Sequence, residues 1–301
     1  MNIADCVEHY VRRKQVCGYD YTAIAKILRR FARFVGPVEI ATICNRDLNR
    51  FLTKGVIANN TWQCHSSCLR NFFTYWFGRR EIRRIPKAKP KPWIYRMFNP
   101  HIYTREDIKR LLTAADVCQR APRATIAPET LRTLVLFLYG TGVKIGDALA
   151  LTVADIDFAR STIVIRGDSL YHRRSIPVSA DVRRMLRRYS QHRQEMNPES
   201  SGAFFLTVKG RPIPYNILRG TFQRLCTLAR LKTVSRLHRP GLRDLRHTFA
   251  VHSISQWTHD HHLKEKMMPI LATYMGMLDM HGVHRYAQLS PSSFQSQLKR
   301  L

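Results

Sequence analysis

The sequence predicts a mainly α-helical protein with a small antiparallel β-sheet, an α+β fold built in two parts. Apolar residues recur at helical spacing in most of the chain, as in residues 21–35. Strict alternation of the kind that strands show is confined to residues 162–166 and 175–178. Three prolines within residues 86–92 bar both a helix and a central strand, so they separate the two parts.

The first part, residues 1–85, is predicted to be a small helical domain. Within residues 21–35 the apolar side chains follow one face, and the other face is basic, with Lys26, Arg29, Arg30 and Arg33. A second helical stretch is rich in aromatic residues, and we expect it to complete the core rather than to stack on bases. Its aromatic residues are Trp62, Phe72, Phe73, Trp76 and Phe77.

Residues 86–100 read as a stiff, basic linker, and residues 101–301 as the second domain. Thr104 is expected to cap a helix, with Asp107 as the acid of a capping box. A helix over 128–139 should end at the glycines of 140–142, and the two alternating runs should form a hairpin with a basic tip. Helices are predicted over 181–193 and 216–231, with a short strand at 203–207.

The charge of the chain points to a polyanionic partner. Fifty Lys and Arg against 21 Asp and Glu give a formal charge of +29, and residues 1–100 alone hold 19 basic and 6 acidic residues. Because the excess is present in both domains, both are expected to face nucleic acid. The sequence shows no lipidation signal or Lys-rich amphipathic helix, so a membrane is not expected as a partner.

The remaining composition predicts a cytoplasmic protein without cofactor or metal. The start of the sequence lacks a signal peptide, and the apolar stretch 134–139 is too short to span a bilayer. Seven scattered cysteines favour reduced thiols. Neither Cys64-His65-x-x-Cys68 nor the cluster His259 to His262 has the spacing of a known metal site.

The segment Leu242 to Ala250, with the sequence Leu-Arg-Asp-Leu-Arg-His-Thr-Phe-Ala, carries the clearest functional signal. As a helix it places Arg243 and Arg246 one turn apart on one face, where two guanidinium forks suit a phosphate. Arginines in so basic a chain are more often a solvated stripe. Here a tyrosine, Tyr286, follows after the apolar run 270–277, and this order of residues argues for a site.

With these elements in this order, the chain resembles the tyrosine recombinase (phage integrase) family, in particular the integrases of transposons and plasmids. The resemblance covers nearly the whole length. It includes the Tyr-Thr-x-x-Asp entry at 103–107, the Gly-Thr-Gly-x-x-Ile block at 140–151, the hairpin, the segment at 242–250 and the terminal tyrosine. It implies an N-terminal core-binding domain that clamps DNA and a C-terminal catalytic domain.

The resemblance also implies a reaction, which needs no metal or ATP. A tyrosine hydroxyl attacks a DNA phosphate to form a 3′-phosphotyrosine, and a 5′-hydroxyl from another strand reverses the step. Tyr286 matches the family nucleophile, and Arg246 matches the second arginine, a phosphate clamp. We therefore expect a DNA-binding protein of a prokaryotic mobile element, associated with nucleoid or plasmid, that assembles with itself or with other recombinase subunits on DNA.

Four positions depart from the family pattern. Lys144 stands at the first arginine and keeps the charge without the planar fork, and Arg243 stands where a histidine base is usual. Both keep a positive charge that could contact a phosphate, although an exposed surface position is the commoner role of such residues. Met277 replaces a hydrogen-bonding histidine, and the hairpin lysine falls at Asp168 or Ser169, so neither Met277 nor Ser169 is expected to act.

These departures predict impaired catalysis. A missing transition-state donor costs about 10²- to 10³-fold in rate, and a missing acid or base costs about 10²- to 10⁴-fold. Rescue by His172, Arg173 or His281 is conceivable, although surface positions are the commoner role of such residues. Two alternatives stay open: an active integrase with a rearranged phosphate site, and a DNA-binding partner or regulator without cleavage activity.

Overall fold

A computed structural model describes residues 1–55, 59–90, 100–118, 124–167, 173–196, 202–231, 239–257, 260–277 and 279–289. The chain divides into two compact units. The first comprises Met1–Met97, and the second comprises Phe98–Gly167 with Tyr171–Leu301. Among the described residues, no helix combines the length and apolar character needed to cross a bilayer.

The first unit is helical, as predicted. Its helices are α1 (Ile3–Val16), α2 (Thr22–Val35), α3 (Asn45–Thr53) and α4 (Asn59–Gly78). Leu28 and Phe31 of α2 are fully buried, while the four basic side chains of the opposite face are exposed. The aromatic residues of α4 form the core as predicted, except that Phe77 is 46% exposed.

The beginning of the predicted linker lies along α3. The backbone N–H groups of Lys87 and Lys89 each donate to an asparagine side chain of that helix, Asn45 and Asn49, at 2.7 Å in both cases. Two amide side chains one turn apart therefore hold an extended segment that has no secondary structure to satisfy its backbone. Residues 91–99 of the predicted linker lie outside the described residues.

The second unit packs its helices around one large core and a smaller one. Its helices are α5 (Arg105–Cys118), α6 (Pro128–Thr141), α7 (Ile145–Leu149), α8 (Ala180–Met196), α9 (Tyr215–Leu228), α10 (Leu242–Gln256), α11 (His261–Met275) and α12 (His281–Ala287). Helix α6 is central to the larger core, with Leu131, Leu134 and Phe137 fully buried. The smaller core joins α10, α11 and α12.

The predicted hairpin is confirmed. Strands β2 (Thr162–Ile165) and β3 (Arg174–Pro177) pair antiparallel with Ile163 opposite Ile176, and a short strand β1 (Ile156–Asp157) pairs with the other edge of β2. The hairpin is tied down by Asp155, whose carboxylate accepts from Thr152 and from Nε of Arg166. Burial alone would raise the pKa of Asp155, but these hydrogen bonds outweigh it and hold the pKa below its usual range.

The predicted strand at 203–207 is wrong. Ala203 and Leu206 form only isolated bridges, to Thr152 and Pro212. The reason is that the backbone donors of the segment find partners in different places: Phe204 N–H bonds to the Leu151 carbonyl, and Thr207 N–H to the Arg211 carbonyl. Among the residues that the structure describes, no single strand pairs with this segment along its length.

The predicted cap at Thr104 is confirmed, and the segment before it fixes α10. The Thr104 N–H donates to the carboxylate of Asp107, and the Asp107 N–H donates back to the Thr104 hydroxyl. Next to this cap, the Tyr103 N–H donates to the hydroxyl of Thr248 on α10, at 3.0 Å. The Tyr103 hydroxyl donates to the carbonyl of Gly241, which precedes α10. The entry motif therefore holds the start of α10.

The conformation at the end of α6 requires a glycine at position 142, and this requirement can be measured. Gly142 caps α6 in the left-handed region, with φ of 60°, and a Cβ at this position would collide with the ring of Phe249. Gly142→Ala should therefore lower the free energy of unfolding by about 2–4 kcal/mol, through backbone strain and overpacking.

The matched control is Gly146→Ala in α7, where a Cβ would meet open space. It should leave stability unchanged or raise it by up to about 1 kcal/mol, because alanine favours a helix more than glycine does. Urea unfolding of both variants measures the difference. Equal midpoints for the two variants would contradict the packing described for Gly142.

Candidate active site

Helix α10 presents one polar face toward the ends of three other segments. Leu242 and Leu245 anchor the helix in the larger core, and the Asp244 carboxylate accepts from the Gly241 N–H at 2.9 Å, which closes the first turn. With these positions fixed, Arg243, Arg246 and His247 fall at i, i+3 and i+4 on the same side. The predicted pairing of Arg243 and Arg246 on one face is consistent with this arrangement.

Arg246 is held by two main-chain carbonyls from different helix ends. Its Nη1 donates to the Gly142 carbonyl at 2.6 Å, just after α6, and its Nη2 donates to the Met275 carbonyl at 3.0 Å, at the end of α11. Burial lowers the pKa of Arg246, while Tyr286 and Asp147 oppose the shift. A guanidinium keeps its charge even so, because its ordinary pKa lies far above neutrality.

Tyr286 lies beside Arg246 and in contact with a histidine. The residue is only 5% exposed, in the smaller core, and its hydroxyl oxygen is 2.8 Å from Nδ1 of His247. Burial raises the pKa of Tyr286, and the charges of Arg246, Arg243 and Arg285 counteract this. The structure therefore brings the predicted nucleophile and the predicted clamp together.

A second guanidinium, which the sequence reasoning missed, belongs to Arg174 at the start of β3. Its Nε donates to the Tyr274 carbonyl at 3.0 Å, and its Nη2 donates to the Met275 carbonyl at 3.2 Å. Its Nη2 is also 3.8 Å from a carboxylate oxygen of Asp147. Arg174 and Arg246 thus donate to the same carbonyl oxygen, which keeps both forks at one place.

The space for Arg174 depends on Gly276. A Cβ on Gly276 would lie 2.6 Å from the guanidinium carbon of Arg174, and the residue has φ of 67°. Strand alternation offered a signal for Arg174: it shares a face with Ile176, an apolar residue that the hairpin had to bury, whereas Arg173 falls on the opposite face. Arg173 is exposed.

The substituted family positions are arranged around this cluster. Lys144 is exposed at the N-cap of α7, two residues after the carbonyl that binds Arg246, and Arg243 is exposed one turn before Arg246. Met277 packs against the smaller core. His281, at the start of α12, is exposed. Three predicted hairpin positions lie outside the described residues: Asp168, Ser169 and His172.

The side chains of this cluster can bind a phosphate and supply a nucleophile that attacks it. Two guanidinium forks can bind a tetrahedral or trigonal bipyramidal anion, a phenol can attack it, and an imidazole can exchange a proton with the phenol. Within the described ranges, no group of three or more His, Cys, Asp or Glu residues is arranged to hold a metal ion.

Both the sequence and the fold are similar to those of known integrases and recombinases. The model of the phage integrase family matches residues 102–268. An integrase/recombinase of Sinorhizobium fredii, y4rB, is 26% identical over 299 residues, which cover 98% of this chain and 95% of the relative. The tyrosine recombinase XerC of Oceanobacillus iheyensis is 26% identical over 247 residues, 77% of this chain and 74% of the relative.

Solved structures share the fold over the full length. The Tn1549 transposon integrase, solved in complex with a circular intermediate DNA, has a TM-score of 0.70 at 17% identity and covers 100% of both chains. A lambda integrase dimer bound to a core site has a TM-score of 0.61 at 14% identity, with 95% of both chains covered. The family match ends at residue 268, and the fold shared with the Tn1549 integrase continues through the C-terminal helices. The chain belongs to the phage integrase family of tyrosine recombinases.

Proposed function

We propose that this protein binds duplex DNA and breaks and rejoins its strands through Tyr286. The single observation that carries the proposal is the position of the buried Tyr286 hydroxyl beside Arg246, whose guanidinium shares an anchor with Arg174. The tyrosine oxygen attacks a phosphorus atom of the backbone, the bond to the 5′ oxygen breaks, and a 3′-phosphotyrosine remains. Attack by a 5′-hydroxyl of another strand completes the exchange.

The two arginines are suited to the anion that forms during this attack. Each guanidinium has five N–H groups, and the main-chain carbonyls described above take two from each arginine. Arg246 also hydrogen-bonds to Tyr286, and Arg174 lies 3.8 Å from Asp147, so we propose that the N–H groups left over bind non-bridging phosphate oxygens. Because both forks are fixed by backbone atoms and packed against protein, they need little rearrangement when charge develops.

Arg174 is proposed to supply the fork that Lys144 lacks. A lysine offers a point charge without bidentate geometry, whereas Arg174 brings a planar fork to the carbonyl that also holds Arg246. Met277 offers no comparable donor, because a thioether cannot donate a hydrogen bond. We therefore expect the protein to cleave DNA, at a rate that the missing donor lowers by about 10²-fold.

The partner is proposed to be double-stranded DNA of a mobile element. The formal charge of +29 and the exposed basic face of α2 supply phosphate contacts, and structures of similar fold include recombinases solved on DNA. Exchange between two duplexes requires more than one active tyrosine, so we propose that the protein acts as an oligomer on DNA. The lambda integrase of similar fold was solved as a dimer on its core site.

The direct test is a nicked suicide substrate from the protein's own element, in which cleavage releases a short 5′ fragment. The protein should form an SDS-resistant DNA adduct, and Tyr286→Phe should abolish it without weakening DNA binding, because only the nucleophilic oxygen is removed. Tyr274→Phe, which removes the hydroxyl that donates to the Pro177 carbonyl, is the matched control. Intact DNA binding with no adduct from the unaltered protein would favour a binding partner or regulator instead.

The role of Arg174 has its own prediction. Arg174→Lys should slow adduct formation by about 10²-fold, because it keeps the charge but loses a fixed donor pair. Arg173→Lys, at the exposed neighbouring position, should have little effect. Added guanidinium ion should partly restore the activity of Arg174→Ala, which a purely structural defect would not allow. Equal rates for the two lysine variants would rule out Arg174 as a phosphate ligand.

DNA affinity should depend steeply on salt. Many Lys and Arg side chains in both units would release counterions from the phosphates, so affinity should fall by about 10³-fold or more between 50 and 200 mM salt. Fluorescence anisotropy with a labelled duplex measures the slope. Replacing the exposed Lys26 and Arg33 together by glutamine should reduce the slope. Asp20→Asn, at the N-terminal end of α2, changes the charge without removing a basic side chain and serves as the control. A shallow slope would contradict extensive phosphate contact.

A further inference from the structure

The base that the family pattern places at residue 243 is missing, but an imidazole lies one helical turn further along. Arg243 keeps its proton under all ordinary conditions and cannot accept another. His247 follows at i+4 on α10, on the same side of the helix as Arg243 and Arg246. It is buried, with 9% of its surface exposed.

His247 contacts the reacting atom itself. Its Nδ1 is 2.8 Å from the hydroxyl oxygen of Tyr286, a normal hydrogen-bond distance, and the two ring centroids are 5.4 Å apart with an interplanar angle of 46°. Both side chains are packed in the interior, so their relative geometry is restrained. In a neutral imidazole with the proton on Nε2, Nδ1 accepts from the tyrosine hydroxyl.

We propose that His247 is the general base for Tyr286, a role that rests on the proposed strand cleavage. As the tyrosine oxygen bonds to phosphorus, its O–H bond breaks and the proton moves to the Nδ1 lone pair. The bond from phosphorus to the 5′ oxygen breaks with its electron pair, and that oxygen takes a proton from water. In the reverse step His247 returns its proton to the departing tyrosine oxygen.

The charges around the pair support this direction of proton transfer. Arg246 and Arg243 of α10 and Arg285 of α12 face Tyr286, and all three favour its ionised form. Arg174 and Asp147 in turn lie close to Arg246. The guanidinium groups do not titrate in an ordinary assay range, whereas imidazole does. The imidazolium produced lies beside the anionic phosphorus centre, which offsets its repulsion by the arginines.

The experiment measures the pH dependence of adduct formation with the suicide substrate. His247→Gln retains an acceptor for the tyrosine hydroxyl but cannot take its proton. We expect a loss of about 10²-fold near neutral pH and disappearance of the fall in rate on acidification. DNA affinity and the unfolding midpoint should stay close to those of the unaltered protein.

His252→Gln is the matched control, because His252 is also on α10 and its Nδ1 is 3.2 Å from the hydroxyl of another tyrosine, Tyr139. It should leave both rate and pH profile unchanged. Replacing Tyr286 by a fluorotyrosine, whose more acidic phenol needs less help from a base, should recover part of the rate in His247→Gln. A rate unaltered or raised in His247→Gln would overturn the proposal, as would an equal loss in His252→Gln.

A second readout does not require cleavage. With 3-fluorotyrosine at position 286, the ¹⁹F resonance of the DNA-free protein should show a titration step in the imidazole range, and this step should vanish in His247→Gln. Absence of the step would overturn the role of His247 whatever the adduct assay shows. A step without any adduct from the unaltered protein would instead count against the proposed strand cleavage and leave the proton contact established.

Discussion

The site depends on the carbonyl of Met275, at the C-terminal end of α11, which accepts from both Arg174 and Arg246. The last carbonyls of a helix have no partner within the helix and carry its negative end, so they suit two cations that would otherwise repel each other. The turn that follows can hold them only because Gly276 adopts a left-handed conformation without a Cβ. The position of the C-terminal end of α11 therefore determines the positions of both guanidinium groups.

The same helix end also sets the position of the nucleophile. Helix α12 begins six residues after Met275 and packs against α10 in the smaller core, so Tyr286 reaches the polar face that carries Arg246 and His247. Cations, phenol and imidazole are thus fixed by the packing of three helices and one strand. This rigidity favours stabilisation of a developing charge, which loses its value if the donors must move during the reaction. Met277 can be apolar at this site because its side chain packs against the smaller core that these helices form.

Sequence reasoning succeeded where the signal is local. The periodicity of residues 242–250 predicted α10 and the shared face of its arginines, and alternation predicted the hairpin of β2 and β3. It failed where contacts between residues far apart in the chain determine the role of a side chain. Arg174 could not be told from Arg173 by residue type, and its carbonyl partners lie about a hundred residues further along the chain. His247 lies inside the segment that identified the family, yet only its contact with Tyr286, 39 residues away, assigns it a task.

The most direct test of the account is a crystal structure with nicked duplex DNA and orthovanadate, which mimics the trigonal bipyramidal phosphorus of strand transfer. We expect continuous density from the Tyr286 oxygen to vanadium, with the guanidinium groups of Arg246 and Arg174 bound to its equatorial oxygens and His247 within hydrogen-bond distance of the tyrosine oxygen. Vanadate bound away from these two arginines, or a Tyr286 oxygen with no bond to vanadium in a DNA-bound complex, would contradict it.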